Sequence, residues 1–415
     1  MYNLLKIAFR NLRRYQRRTF LTSMLITVGV VSVLLFTSLS SSFTGMMIGE
    51  ITDAMLGHIQ VHKKGFVASI DNLPLNMTMP PKDAALVAQI LDDNPLVEAY
   101  STRVKFGAML SNFEETTNIR LNAVDPEMEL ATVPLLGERI LKGEKNAGAL
   151  APGKIIIPEL LAKGMKIKPG DQVVIVATNK DGSVNGVPLV VGGILESATG
   201  PGGRDGYVNI ADARNLLRMT GAEVSEFAVR LKDFHHLEKS KVEVEAALAK
   251  ELNQKGTPRF EVHTWEKLSP FVNIAKMIDM MTLSVRILLV FIALISVMNV
   301  MIMAVYERIR EIGTISAMGT LPGKIRTMYV MEGFLLGAIG RAAGIVVSVL
   351  SVIALNFWPL SFDFGRQTGL LLKPSLEAGD ILFTTVVVLI VAVAASLQPA
   401  AKASKMEPIE ALRHV

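Results

Sequence analysis

Cysteine is absent from the 415 residues of the chain, and aromatic side chains make up only 6% of them. Without a thiol the protein has no disulfide, no zinc–thiolate site, no cysteine nucleophile and no acylated cysteine anchor. Any part of the chain outside the cytoplasm must therefore be held together by its own apolar core. Carboxylates are also missing from the N-terminal arm, whose basic residues are Lys6, Arg10, Arg13, Arg14, Arg17 and Arg18.

Half of the residues (50%) are hydrophobic, and the mean hydropathy is +0.39. This is too apolar for an ordinary soluble protein and too polar for a chain lying wholly in a bilayer, so we expect membrane and soluble parts. The formal charge of +5 is concentrated in the N-terminal arm. That position indicates membrane topology and argues against nucleic acid as a partner.

Four windows have the roughly 20 apolar residues that a helix needs to cross a bilayer. They are residues 20–43, 283–306, 328–355 and 381–397. The first resembles a signal peptide because a basic segment precedes it, but its apolar run is long and it lacks an A-x-A cleavage site. We therefore expect it to stay as an anchor, preceded by an amphipathic helix over residues 1–19 that lies on the membrane surface.

Basic residues beside the spans indicate their orientation. The arm carries six, the loop 307–326 carries four and the tail 398–415 carries three, whereas the loop 356–380 has only two, together with acidic residues. This pattern places both termini in the cytoplasm of a multi-pass inner (cytoplasmic) membrane protein. Residues 44–282 then form an extracytoplasmic domain, in the periplasm if the cell has one.

Within residues 44–282, period-2 and helical patterns alternate in a repeated order. The segments 58–62, 81–93 and 97–110 predict one βαβ unit, and 226–231, 237–253 and 259–263 predict a second. Two such units can share one sheet in the split ferredoxin-like manner. The fold class is thus a four-helix membrane part, one span plus three, with a two-lobed α+β domain whose inserted β-rich lobe covers about residues 119–218.

Two motifs in this domain have an ordinary structural interpretation. Asp181 and Gly182 predict the tip of a hairpin. The segment 200–206 (GPGGRDG) resembles a phosphate-binding loop but is not followed by a helix that begins with Lys-Ser/Thr, so we expect a surface loop. His58 and His62 share a face, but no third metal ligand accompanies them, and His235 with His236 sits at a predicted helix start. We predict no metal site, no cofactor and no catalytic residue in this chain.

The segment 299–319 reads NVMIMAVYERIREIGTISAMG. Ile309, Ile312 and Ile315 recur at i, i+3 spacing on one face, and the charged residues lie on another; they are Glu307, Arg308, Arg310 and Glu311. This pattern predicts a short amphipathic helix that ends at Gly319 and Pro322. Periodicity alone leaves a simple interfacial turn as an equal alternative.

Four segments carry a family resemblance. ERIREIGTISAMG (307–319) resembles the "ERxxEIGxxxAxG" coupling-helix signature of the MacB/FtsX-like ABC transporter permeases, closest in layout to the lipoprotein-releasing LolC/LolE group. PAAKASKMEPIEAL (399–412) is similar to the closing motif of that family, and residues 153–173 resemble a recurring strand–helix–turn–strand of its extracytoplasmic domains. Residues 1–18 resemble the usual basic N-terminal helix.

The resemblance implies a permease dimer, of identical or related chains, on a dimer of separate ATPase subunits that bind ATP and Mg²⁺. It also implies a coupling segment that docks into the ATPase, with Glu307, Arg308, Arg310, Glu311, Ile312, Gly313, Ala317 and Gly319 as its residues. The chain itself should be no enzyme, since its nearest P-loop string, GTLPGKI (319–325), has the wrong spacing and lacks the Mg²⁺-binding hydroxyl. A periplasmic carrier or adaptor and membrane lipid are further implied partners.

Inside the predicted spans, small and polar residues are unusual. The third span has glycines four or three residues apart, which predict a helix-packing face; they are Gly333, Gly337, Gly340 and Gly344. The intramembrane polar residues are Asn299, Glu332 and Arg341. An arginine inside a bilayer is costly, so Arg341 either faces a polar cavity or dimer interface, near Asn299, water or a lipid headgroup, or reaches toward the outer face.

The predicted function is transport or extraction of an amphiphile (a lipoprotein, lipid, or hydrophobic peptide or drug) by mechanotransmission. In this mechanism, ATPase closure moves the extracytoplasmic domain. The alternative is an FtsX-like regulator that activates an extracytoplasmic enzyme such as a peptidoglycan hydrolase; its outer domain is usually much smaller.

Overall fold

The computed structural model describes residues 2–197, 201–253, 256–364 and 367–407. The helices are α1 (Tyr2–Arg14), α2 (Gln16–Ile51), α3 (Pro81–Asp92), α4 (Pro126–Thr132), α5 (Glu159–Gly164), α6 (Ile210–Leu216), α7 (Leu237–Leu248), α8 (Trp265–Leu268), α9 (Val272–Glu307), α10 (Ile309–Ala317), α11 (Pro322–Phe357) and α12 (Ala378–Ser404).

The strands are β1 (Ile59–Lys63), β2 (Val97–Ser111), β3 (Thr116–Val124), β4 (Ile140–Gly143), β5 (Lys154–Pro158), β6 (Gln172–Thr178), β7 (Val184–Leu195), β8 (Asp205–Asn209), β9 (Glu226–Leu231), β10 (Phe260–Thr264), β11 (Leu360–Phe364) and β12 (Gln367–Leu372). The chain divides into two compact units, the membrane unit (1–45, 275–361 and 371–415) and the mixed α/β domain (46–274 and 362–370).

Four helical segments are long and apolar enough to cross a membrane: Thr19–Leu56, Val272–Glu307, Pro322–Phe357 and Ala378–Ser404. Each is longer than the apolar window predicted for it, since a hydropathy window marks the hydrocarbon-facing part while a helix continues until a residue breaks it. The last one passes through Pro399, which the sequence pattern placed beyond the span. A single internal proline is tolerated in such helices when neighbouring groups satisfy the freed carbonyl.

The βαβ prediction is confirmed by the strand order β10-β1-β9-β2, in which every neighbouring pair is antiparallel. The two predicted helices are present as α3 and α7, although α7 ends at Leu248 and not at residue 253. The first and last residues of β1 and β10 each differ from the predicted bounds by a single residue. Alternating burial along β10 shows the half-buried pattern expected of a sheet strand.

The inserted lobe is a closed barrel. Its pairs run β2–β3, β3–β8, β8–β5, β5–β7, β7–β6 and β6–β2, so the sixth strand returns to the first. Its interior is filled by aliphatic side chains such as Val104, Leu121, Ile155 and Ile175. Closure leaves these strands without an open edge, which protects them from pairing with other chains.

Strand β2 belongs to both lobes. Residues 97–103 pair with β9 of the βαβ sheet, while residues 103–111 pair with β3 of the barrel. The two lobes therefore share a single sheet of ten strands, a connection about which the two-lobe prediction said nothing. The predicted hairpin joins β6 to β7, with Gly182 at a φ of 84° that favours glycine.

Candidate functional site

The predicted coupling segment forms a helix, α10, separated from α9 by a break at Arg308. Arg308 has φ −115° and ψ 18°, outside the helical range, so the chain changes direction there. Ile312 and Gly313 are buried on one face of α10, and Glu307, Arg310 and the residues after Ser316 face outward. The amphipathic pattern is therefore that of a helix packed on the membrane unit with one face open.

Arg308 does not lie on that open face, where the sequence pattern put it with the other charges. It is only 2% exposed, and its Nη1 lies 3.3 Å from Oε2 of Glu332, which is fully buried in α11. Its guanidinium also lies 4.6 Å from the ring centroid of Tyr15, and its Nε lies 3.6 Å from Oε2 of Glu311. One side chain thus contacts residues of three other segments.

Two further polar contacts involve α10 and the end of α9. Nη1 of Arg14 lies 3.3 Å from Oε1 of Glu311, which joins the end of α1 to α10. Lys402 of α12 donates to the hydroxyl of Tyr306 at 2.5 Å. Together with Arg308, these contacts connect the end of α9 and α10 to α1, α11 and α12.

The turn from α10 to α11 exposes large apolar side chains that the sequence pattern did not single out. Met318 is 73% exposed and Leu321 is 64% exposed, on either side of Gly319 with its φ of 84°. Ala317 is exposed beside them. The sequence marks them only as apolar residues on either side of a glycine that ends a helix. A search for helical periodicity does not select residues in such a turn.

The four glycines of α11 lie against two different helices. A Cβ on Gly333 or Gly337 would come within 2.6 Å of the Cβ of Ser396 or Ala392 in α12. The other two face α2, where a Cβ on Gly340 or Gly344 would lie 2.7 Å from the Cβ of Ile26 or Val30. Only glycine allows the helices to approach this closely at these positions.

Asn299 and Arg341 lie on different helices, α9 and α11. Asn299 is exposed on α9. Arg341 is half-buried, and its Nε donates to the hydroxyl of Thr385 in α12 at 2.7 Å. Thr385 is thus the polar partner of Arg341, and the sequence did not reveal it because a threonine in a span is unremarkable on its own.

The α/β domain has a buried charge network where its two lobes meet. Arg103, at the point where β2 passes from one lobe to the other, binds Glu129 at 2.7 Å and Glu226 at 3.2 Å. Glu226 also accepts from Lys105 at 2.9 Å and lies 3.2 Å from His62. Apart from Lys105, which is slightly exposed, these side chains are buried completely or nearly so.

The histidines of the two pairs contact neighbouring carboxylates and backbone groups of the α/β domain. His58 contacts Asp53 at 3.2 Å and accepts from the amide of Leu231, while His235 is exposed and lies against Asp233. Within the described ranges no three His, Cys, Asp or Glu residues are close enough to hold a metal ion. The loop 200–206 falls partly outside the described residues, and its 201–204 portion is a short 3₁₀ turn. The prediction of a surface loop is wrong for Asp205 and Gly206, which begin strand β8 and pair with β3.

Family models match both units of the chain. The MacB-like periplasmic core domain matches residues 19–247, and the FtsX-like permease C-terminal domain matches residues 283–408. The chain belongs to the MacB/FtsX-like permease family. It is accordingly an ABC transporter permease of the MacB/LolC type, with membrane helices and an extracytoplasmic α/β domain.

Among relatives of this permease, the macrolide export ATP-binding/permease protein MacB of Azoarcus sp. (strain BH72) is 26% identical over 98% of the chain and 58% of its own length. The chain therefore spans little more than half of that relative. The lipoprotein-releasing system transmembrane protein LolC of Xylella fastidiosa (strain Temecula1) is 23% identical over 100% of both chains. The periplasmic region of MacB from Actinobacillus actinomycetemcomitans superposes with a TM-score of 0.36 at 8% identity, over 52% of this chain and 92% of that structure.

The charge network makes the stability of the permease's extracytoplasmic domain depend on pH. Burial alone would raise the pKa of Glu226, but Lys105, His62 and Arg103 outweigh it and hold that pKa far below its usual range. A carboxyl with a depressed pKa stabilises the fold above its unfolded value near 4.5, and this stabilisation is lost as the pH falls below that value. We expect the free energy of unfolding to drop between about pH 5 and about pH 3.

The measurement is denaturant unfolding followed by Trp265 fluorescence in a Trp358→Phe background, which leaves one tryptophan, buried in this domain. In Glu226→Gln, the drop between those two pH values should be smaller than in the parent, because the glutamine does not titrate. An equal drop in the two proteins would contradict the assignment.

Proposed function

We propose that this permease works with a separate ABC ATPase, whose ATP hydrolysis drives movement of the extracytoplasmic domain and thereby extraction or export of an amphiphilic cargo. In this proposal both termini, α1 and α10 lie in the cytoplasm, and two permease chains, identical or related, sit on an ATPase dimer. ATP and Mg²⁺ are bound by the ATPase. The observation that carries the proposal is the open face of α10 with its apolar tip.

The composition of that tip supports a protein partner. Met318 and Leu321 are among the most exposed large apolar side chains of the membrane unit, and the same segment, from α10 to the start of α11, carries exposed charged residues, namely Arg310, Glu311 and Lys324. An apolar centre with a polar rim is the usual composition of a protein–protein hot spot. The opposite face of α10 is anchored by Ile312, so the tip is presented on a fixed helix.

The charges of α1 and α10 support the cytoplasmic assignment. Arg10, Arg13 and Arg14 belong to α1. Arg17 lies in the first turn of α2, Arg310 in α10 and Lys324 in the first turn of α11. Short loops and tails rich in arginine and lysine remain on the cytoplasmic side of a membrane.

The names of the relatives support an amphiphilic cargo. One relative is named for macrolide export and another for lipoprotein release, and both kinds of molecule combine apolar and polar parts. We extend that class, but neither molecule, to this chain. A carrier or adaptor protein outside the membrane would receive the cargo.

The test is co-purification of the permease with ABC ATPase subunits from the cells that produce it. Met318→Glu should reduce the bound ATPase at least about tenfold, because a charge replaces an apolar contact at the centre of the interface. Met109→Glu is the matched control, since Met109 is a 47% exposed methionine of β2, and it should bind ATPase like the parent.

Undiminished ATPase binding by Met318→Glu would overturn the docking role of α10. If the ATPase binds but cargo release does not depend on ATP, while a peptidoglycan hydrolase becomes active, the regulatory alternative replaces transport.

A further inference from the structure

The contact between Arg308 and Glu332 points to a role that docking does not explain. Both side chains are buried, so neither can contact an ATPase directly. They are nonetheless placed where a force on α10 would enter the rest of the membrane unit, because Arg308 is the residue at which α9 ends and α10 begins.

We propose that the Arg308–Glu332 ion pair is the joint through which movement of α10 is transmitted to α11 and α12. This inference rests on the proposed function, since it assumes that an ATPase moves α10. Arg308 and Glu332 are positioning residues in this proposal: they touch no cargo and no nucleotide.

The pair is suited to transmit force because it resists separation. Moving Arg308 away from Glu332 would break an ion pair whose two members are both buried, which is costlier than breaking an exposed pair. The ring of Tyr15 on the guanidinium limits its sideways movement as well. A displacement of Arg308 is therefore followed by Glu332.

Beyond Glu332, the packing of α11 carries the displacement further. The next residue, Gly333, has the Cβ of Ser396 only 2.6 Å from where its own Cβ would be, and one turn later Gly337 meets Ala392 in the same way. Helices in such close contact cannot slide without clashes, so α11 and α12 respond together. Lys402 of α12 also binds Tyr306 at the end of α9.

The exposed charged residues of α10 should respond differently to substitution from the buried Arg308–Glu332 pair. Arg310 differs from Arg308 by two positions and is exposed. A substitution at Arg310 should therefore affect ATPase binding, whereas a substitution in the joint should leave binding intact and reduce the ATP-driven movement of the extracytoplasmic domain.

The test uses full-length permease with its ATPase in nanodiscs. Because the chain has no cysteine, Glu114→Cys, at an exposed position in the β2–β3 turn of the extracytoplasmic domain, accepts a single environment-sensitive fluorophore. The readouts are ATPase binding and the ATP-dependent fluorescence change. Glu332→Gln keeps the size of the side chain and removes its charge. It should bind ATPase like the parent and reduce the fluorescence change about tenfold, a typical strength of coupling between sites.

The charge swap Arg308→Glu with Glu332→Arg serves as the second variant and should recover part of the fluorescence change lost in Arg308→Glu alone. Different results would contradict the proposed joint and the proposed function. If the parent protein shows no ATPase binding or no fluorescence change, the proposed function is wrong. If the parent responds and Glu332→Gln responds equally, or if Glu332→Gln loses ATPase binding, the joint is wrong.

Discussion

Replacing Arg103 with methionine is expected to lower the free energy of unfolding of the extracytoplasmic domain by about 3–5 kcal/mol. The substitution leaves Glu129 and Glu226 buried, and only Glu226 keeps basic neighbours, Lys105 and His62. An unpaired buried carboxylate is the costly product of such a change, because it has lost both water and its partner. Denaturant unfolding followed by Trp265 fluorescence, in the Trp358→Phe background, measures the loss.

Arg120→Met is the matched control. Arg120 also lies on a strand of the barrel and binds Asp205 at 2.6 Å, but the two side chains are 33% and 23% exposed. A partly hydrated pair of this kind contributes about 1 kcal/mol or less. The double variant Arg103→Met, Glu129→Met removes both charges and should recover most of the stability. If Arg103→Met and Arg120→Met cost the same, burial of the network does not determine its contribution.

Replacing Gly337 with leucine is expected to disrupt the packing of α11 on α12, at a cost near the upper end of the range of about 1–3 kcal/mol for overpacking. Even the first atom of a side chain would lie 2.6 Å from the Cβ of Ala392, so the two helices must separate. Separation also breaks the neighbouring contact of Gly333 with Ser396. Unfolding in a detergent mixture of increasing sodium dodecyl sulfate content, read by helical circular dichroism, reports this loss.

Gly323→Leu is the corresponding control within the same helix. Gly323 lies in the first turn of α11, and a Cβ there would have no atom within 4 Å. Leucine has the higher helix propensity, so this variant should be as stable as the parent or slightly more stable. If Gly337→Leu unfolds at the same sodium dodecyl sulfate content as Gly323→Leu, the close approach of α11 to α12 does not contribute to stability.

The membrane helices and the βαβ sheet were predictable because their signals are local. Twenty apolar residues identify a span wherever it packs, and period-2 runs flanked by turn residues identify strands such as β9, whose predicted bounds 226–231 agree with Glu226–Leu231. The ends were less accurate, as for α7, because a solvated last turn costs little to form or to lose.

Closure of the barrel could not be predicted in the same way. It depends on β6 returning to β2, a pairing of Val176 with Met109 across more than sixty positions of chain. Hydrophobic alternation indicates that both strands have a buried face, but it does not say which strand lies beside which. The same applies to Arg103, whose partners come from α4 and β9.

In the coupling segment, the sequence pattern predicts the helix but not which of its side chains are buried. Its helix was predictable from the spacing of Ile309 and Ile312, but Arg308 was grouped with the exposed charges because charged residues are rarely buried. The exception needs Glu332, which lies in another helix. Thr385 was missed for the same reason, since its role depends on Arg341.

The strand shared by the two lobes has a consequence for how the outer part of this protein can work. Fifteen residues run without interruption through both halves, and a buried cluster of opposite charges clamps them where they meet. We therefore expect the two lobes to move as one body. In the mechanism proposed above, the domain would therefore act on a cargo by moving as a whole.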